Sequence, residues 1–64
     1  MRFTCKIDMD NAAFDGGEAP AELATILRDL AYKLERRSET NGNLSDCNGN
    51  TVGEWKITGK GWPT

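Results

Sequence analysis

The stretch DCNGNTVGEW, Asp46 to Trp55, supports two incompatible readings. Its Asp-x-Asn-x-Asn spacing is how a calcium loop begins, whereas Asn-Gly followed by apolar residues marks a tight β-hairpin. A calcium loop of this kind needs glycine at its sixth place and a bidentate glutamate at its twelfth. Counted from Asp46 those places hold Thr51 and Ile57, and no helical pattern flanks the segment. The hairpin needs only a residue that tolerates positive φ, and Asn48-Gly49-Asn50 offers candidates. Leu44–Cys47 then reads as one strand and Thr51–Thr58 as its partner. Strict alternation would part Val52 from Trp55 and Ile57, so a bulge at Gly53 is expected, returning all three to one face.

Working outward, RFTCKIDM (residues 2–9) alternates throughout, with Phe3, Cys5, Ile7 and Met9 on one side and Arg2, Thr4, Lys6 and Asp8 on the other. That is the period of a half-buried strand. DNAAFDGGEAP breaks the pattern, and Phe14, the large apolar residue of this loop, is expected to pin it to the core. From Pro20 to Arg37 a helix follows. Pro20 suits its first turn, and Leu23, Ile26, Leu27, Leu30, Ala31 and Leu34 form an apolar stripe. Tyr32 falls opposite that stripe and should be exposed. SETNGN (Ser38–Asn43) reads as a polar linker. The tail, residues 59–64, is flexible in composition, and the sequence leaves open whether Trp62 closes the sheet or faces solvent.

The assembled expectation is an α+β fold of β-α-β-β order. It is a single domain, residues 1–64, with one helix packed on one face of a three-stranded antiparallel sheet and the third strand in the centre. A chain this short holds one helix against one small sheet and has no room for a deep cleft as well.

Composition narrows the chemistry. Histidine is absent, which removes the commonest general base and metal ligand, and two thiols alone make a poor zinc site. Cys5 and Cys47 read as reduced, buried, small apolar residues. No apolar block resembles a signal peptide or membrane span, so a cytoplasmic location is the expectation. No serine or cysteine neighbours a candidate base, and GEAP and GKG lack the context of a phosphate cradle. A non-catalytic protein without a cofactor is therefore expected.

Charge is distributed unevenly. Five acids and no base lie between Asp8 and Glu22 (Asp8, Asp10, Asp15, Glu18, Glu22), within a net charge of −2. Asp8, Asp10 and Asp15 could surround a divalent ion, but a solvated acidic loop is the better reading because the full ligand set is missing. Lys33, Arg36, Arg37, Lys56 and Lys60, with Trp55 or Trp62, could form a nucleic-acid surface. Interleaved acids and a pI near 4.9 favour a mixed solvated face instead.

KIDMDNAAF (Lys6 to Phe14), the ELA-x-x-LRDLA-x-x-LE helix (Glu22 to Glu35) and D-x-NGN-x-VGE (Asp46 to Glu54) resemble segments of small proteins encoded by bacteriophages and prophages. Such proteins mostly lack assigned functions, and no functional residue carries over. In kind, though not in motif, the chain is similar to compact acidic phage proteins that inactivate host defence complexes, anti-CRISPR proteins among them. That resemblance implies a binding protein in the bacterial host's cytoplasm. Its partner would be a host complex with a basic nucleic-acid-binding surface. The five carboxylates from Asp8 to Glu22 would imitate a phosphate backbone as contact residues. The alternatives are a small nucleic-acid-binding or regulatory module using the sheet face with Lys6, Lys56 and Trp55, and a phage accessory subunit.

Overall fold

The computed structural model describes residues 1–36 and 39–62. Strand β1 (Arg2–Ile7) leads through a single 3-10 turn (Ala12–Phe14) into helix α1 (Ala19–Arg36), followed by strands β2 (Asn41–Ser45) and β3 (Thr51–Thr58). The sheet is three-stranded in the order β1-β3-β2, and β3 runs antiparallel to both neighbours. The fold is therefore α+β of β-α-β-β order with the third strand central.

Two strand boundaries differ from the sequence reading. β1 ends at Ile7 rather than Met9; the Asp8 N–H still donates to Val52 O at 2.7 Å, at the bulge of β3 where the regular ladder stops. Met9 leaves the sheet and is exposed. β2 starts at Asn41, inside the expected linker, and stops at Ser45, so Cys47 falls in the turn. Packing overrides the poor strand propensity of Asn-Gly-Asn here. Gly42 lies across from Trp55, and a Cβ at position 42 would come 2.8 Å from the indole Nε1. Only glycine lets the indole approach β2 so closely at that point. Of the expected linker and helix end, Ser38 and Arg37 lie outside the described residues.

The bulge sits one residue from its expected place. Leu44 pairs with Gly53 and Ser45 with Thr51, leaving Val52 as the extra residue of β3. It does what the hydrophobic pattern demanded, since Val52 and Trp55 are buried and Ile57 packs against them. The core comprises Phe14, Ile26, Leu30, Leu44, Val52 and Trp55. Phe14 thus anchors the loop as expected, and Tyr32 is exposed, with Arg36 Nη1 donating to its hydroxyl at 2.9 Å. Trp62 is half-buried, with its Nε1 enclosed. Among the described residues no helix is long and apolar enough to cross a membrane.

Candidate acidic site

β1 and β2 both run towards the end of the sheet where β3 begins, and α1 starts at that same end. The loop after β1, the first turn of α1 and the β2–β3 turn therefore meet there. Two side-chain bonds tie them together. Asn11 Nδ2 donates to Asp46 Oδ2 at 2.7 Å, and Cys47 N–H donates to Glu22 Oε2 at 3.1 Å.

Asp46 organises the turn. It is 7 % exposed, and its Oδ1 accepts from Asn48 N and Asn50 N, both at 2.9 Å. Asn50 Nδ2 adds a longer bond to Oδ2. Gly49 takes the left-handed position, at φ 82°, that closes a three-residue hairpin loop. Burial alone would raise the Asp46 pKa. The donors from Asn50, Asn48 and Asn11 outweigh it and hold the carboxyl below its ordinary value of 3.8. Sequence reasoning weighed Asp46 only as a calcium ligand. The same Asp-x-Asn-x-Asn spacing signals an aspartate capping its own turn, and that was the usable clue.

The five expected site residues reach this end by different routes. Asp8 ends the β1 ladder on the open face of the sheet, in a groove it shares with Lys6, Asn43 and Glu54. Asp10 is exposed in the loop, and Asp15, also exposed, caps the 3-10 turn. Glu18 is exposed, while Glu22, half-buried, lines a shallow hollow with it beside Cys47. The structure thus gathers Glu18 and Glu22 with Asp46 on the helix side. It sets Asp8 around the corner on the other face. The hydrogen bonds that hold Asp46 and Glu22 come from amide donors, not from lysine or arginine.

Cys47 is exposed, which corrects the expectation of burial, while Cys5 is half-buried; both are free thiols. The cause is the short β2, which leaves Cys47 in the hairpin loop. Its pKa is raised, first by the Glu22 carboxylate that takes its S–H, then by desolvation and by the charges of Glu22 and Asp46. An exposed thiol is thereby kept protonated by the surrounding acids.

Trp55 is 2 % exposed on the helix side of the sheet, whereas Lys6 and Lys56 alternate to the open side, opposite Glu54 and Thr4. The sheet-face grouping of Lys6, Lys56 and Trp55 is therefore corrected: the indole belongs to the core. Among the described residues, no three potential ligands of His, Cys, Asp or Glu type converge to hold a metal ion.

The class of molecule these features define is a small α+β module with an acidic end organised by a buried aspartate. No family model, curated protein or solved structure matches the chain.

Proposed function

We propose that the chain is a phage-encoded, non-catalytic inhibitor that binds a host defence complex, of the anti-CRISPR kind, through its acidic end. One observation carries the reading. The topology brings a base-free acidic segment, Asp8 to Glu22, together with the Asp46 turn, so that carboxylates of three separate elements share one end of the molecule. Fixed carboxylates of this kind compete with phosphates for a basic channel and speed the encounter with it. Asp10, Asp15 and Glu18 are the exposed contacts on this reading, with Glu22 and Asp8 on its two flanks. The test is affinity capture from a bacterial host lysate, followed by elution with duplex DNA. A captured nucleic-acid-binding complex that DNA releases, and that Asp15→Lys with Glu18→Lys fails to capture, is the expected result. Capture unchanged by those substitutions would remove the acidic end from the interaction.

A second reading rests on the open sheet face, where Lys6 and Lys56 stand among Thr4, Asn41 and Asn43. It makes the chain a small nucleic-acid-binding module and predicts salt-dependent complexes with DNA or RNA. Glu54 in the same array and the loss of Trp55 to the core disfavour it. A gel shift showing no complex at low salt would dismiss it.

A further inference from the structure

The two edges of the sheet differ. β2 is short and polar, and α1 packs chiefly over it and the 3-10 turn. β1 is the other edge, and it carries its apolar side chains largely uncovered: Phe3 is 48 % exposed, and Cys5 and Ile7 are only half-buried. An apolar strand edge that the helix leaves uncovered is an unprotected surface for strand addition.

The free hydrogen-bonding groups of this edge can be assigned. Asp8 N donates to Val52 O, so the even residues of β1 direct their backbone groups to β3. The odd residues, Phe3, Cys5 and Ile7, therefore present theirs outward. Their side chains also lie on the helix side of the sheet.

We infer that β1 pairs antiparallel with β1 of a second copy of this chain, about a two-fold axis through Cys5. The charge pattern selects both the partner and the register. Centred on Cys5, the pairing sets Phe3 against Ile7 of the partner copy on the helix side, and Arg2 against Asp8 of the partner copy on the open side. Centred on Thr4, it would set Arg2 against Lys6, and centred on Lys6 it would bring the two lysines face to face. Of these three registers only the Cys5 one joins opposite charges, and symmetry supplies that pair twice. A register centred on Ile7 would set Lys6 against Asp8 of the partner copy but leave Arg2–Thr4 of each β1 unpaired. The product is a continuous six-stranded antiparallel sheet with both helices on one face and the Phe3, Cys5 and Ile7 side chains of the two copies lying along the seam. Asp8 is thereby drawn into the seam, while Asp10, Asp15, Glu18 and Glu22 stay free for the partner proposed above. The two acidic ends point in opposite directions.

Sedimentation velocity over a concentration series tests this, with a species of twice the chain mass as the expected result. Arg2→Asp weakens the dimer about tenfold by turning both ion pairs into repulsions. Adding Asp8→Arg to it restores the affinity, because the pairs re-form with charges exchanged. In a Cys47→Ser chain, a short bis-maleimide links Cys5 to Cys5 of the second copy, since facing Cα atoms of such a ladder lie about 5.5 Å apart. Circular dichroism confirms that each variant is folded. A chain monomeric at every concentration, as expected if the edge serves another protein's strand, overturns the proposal. So does a dimer that ignores the charge exchange or resists linkage through Cys5.

Discussion

At Cys47 the acidic end can be measured one residue at a time. The thiol is open to solvent, yet Glu22 takes its S–H, and burial and the charges of Glu22 and Asp46 oppose ionisation further. Alkylation needs the thiolate, so Cys47 should react with iodoacetamide more slowly at neutral pH than an unhindered cysteine. Glu22→Gln should raise the rate severalfold and move its pH profile to lower pH. Peptide mass spectrometry separates Cys47 from Cys5, and identical profiles would show that Glu22 does not control the thiol. Gly53 is the other residue whose surroundings leave no choice. A Cβ there would fall on the Lys6 carbonyl oxygen, with Ile7 Cα 3.0 Å away, and both are backbone. Since the central strand cannot yield without breaking its ladder to β1, Gly53→Ala should cost about 2–4 kcal/mol in urea unfolding. A change below about 0.5 kcal/mol, the range of an ordinary surface substitution, would mean that the bulge relaxes freely.

At the level of elements, the β2–β3 hairpin depends on one buried carboxylate rather than on strand propensity. Asp46 caps Asn48 and Asn50 and reaches Asn11, so its loss unties the turn and the loop after β1 together. Asp46→Ala should lower the melting temperature by roughly 5–10 °C. Its pKa is depressed in the fold. This stabilisation is therefore complete above the unfolded value, near 3.8, and is lost as pH falls through the lower folded value. Wild type should lose stability on acidification below about pH 4 more steeply than Asp46→Ala, as thermal melts at stepped pH would show. Parallel curves would assign the acid transition to other groups. The hairpin also shows where sequence is informative. Its turn, the alternation of β1, the stripe of α1 and the need for a bulge were all legible, because each is a local pattern. The start of β2 was not. Asn41-Gly42-Asn43 reads as linker, and its role as a strand depends on accommodating Trp55, a contact thirteen residues away in sequence. The placement of Cys47 and the alternative grouping of Trp55 with Lys6 and Lys56 failed for related reasons, since one follows from the length of β2 and the other from which face the helix covers. The acidic segment was legible as composition. Its joining with Asp46 was not, because that takes the Asn11–Asp46 bond across 35 residues.

Across the whole molecule the decisive quantity is the distribution of charge, not its sum. α1 has 18 residues and spans about 27 Å, well beyond the roughly 10 Å over which salt at 0.1 M screens exposed charges. The acidic end at its start and the mixed-charge end carrying Lys33 and Arg36 therefore present separate fields to a large partner. An anion exchanger meets one face of a protein at a time and reports that local field. Two double variants with the same net charge make the comparison: Asp15→Lys with Glu18→Lys at the acidic end, and Glu35→Lys with Glu39→Lys at the far end. All four residues are exposed, so neither pair disturbs the core. The far-end variant should stay bound to the resin at low salt despite a net charge no longer negative. The acidic-end variant should elute in the void, and its capture of a basic partner should fall with the same salt dependence. Co-elution of the two would show that charge acts through its total, and a molecule of that kind could not address a basic channel with one end.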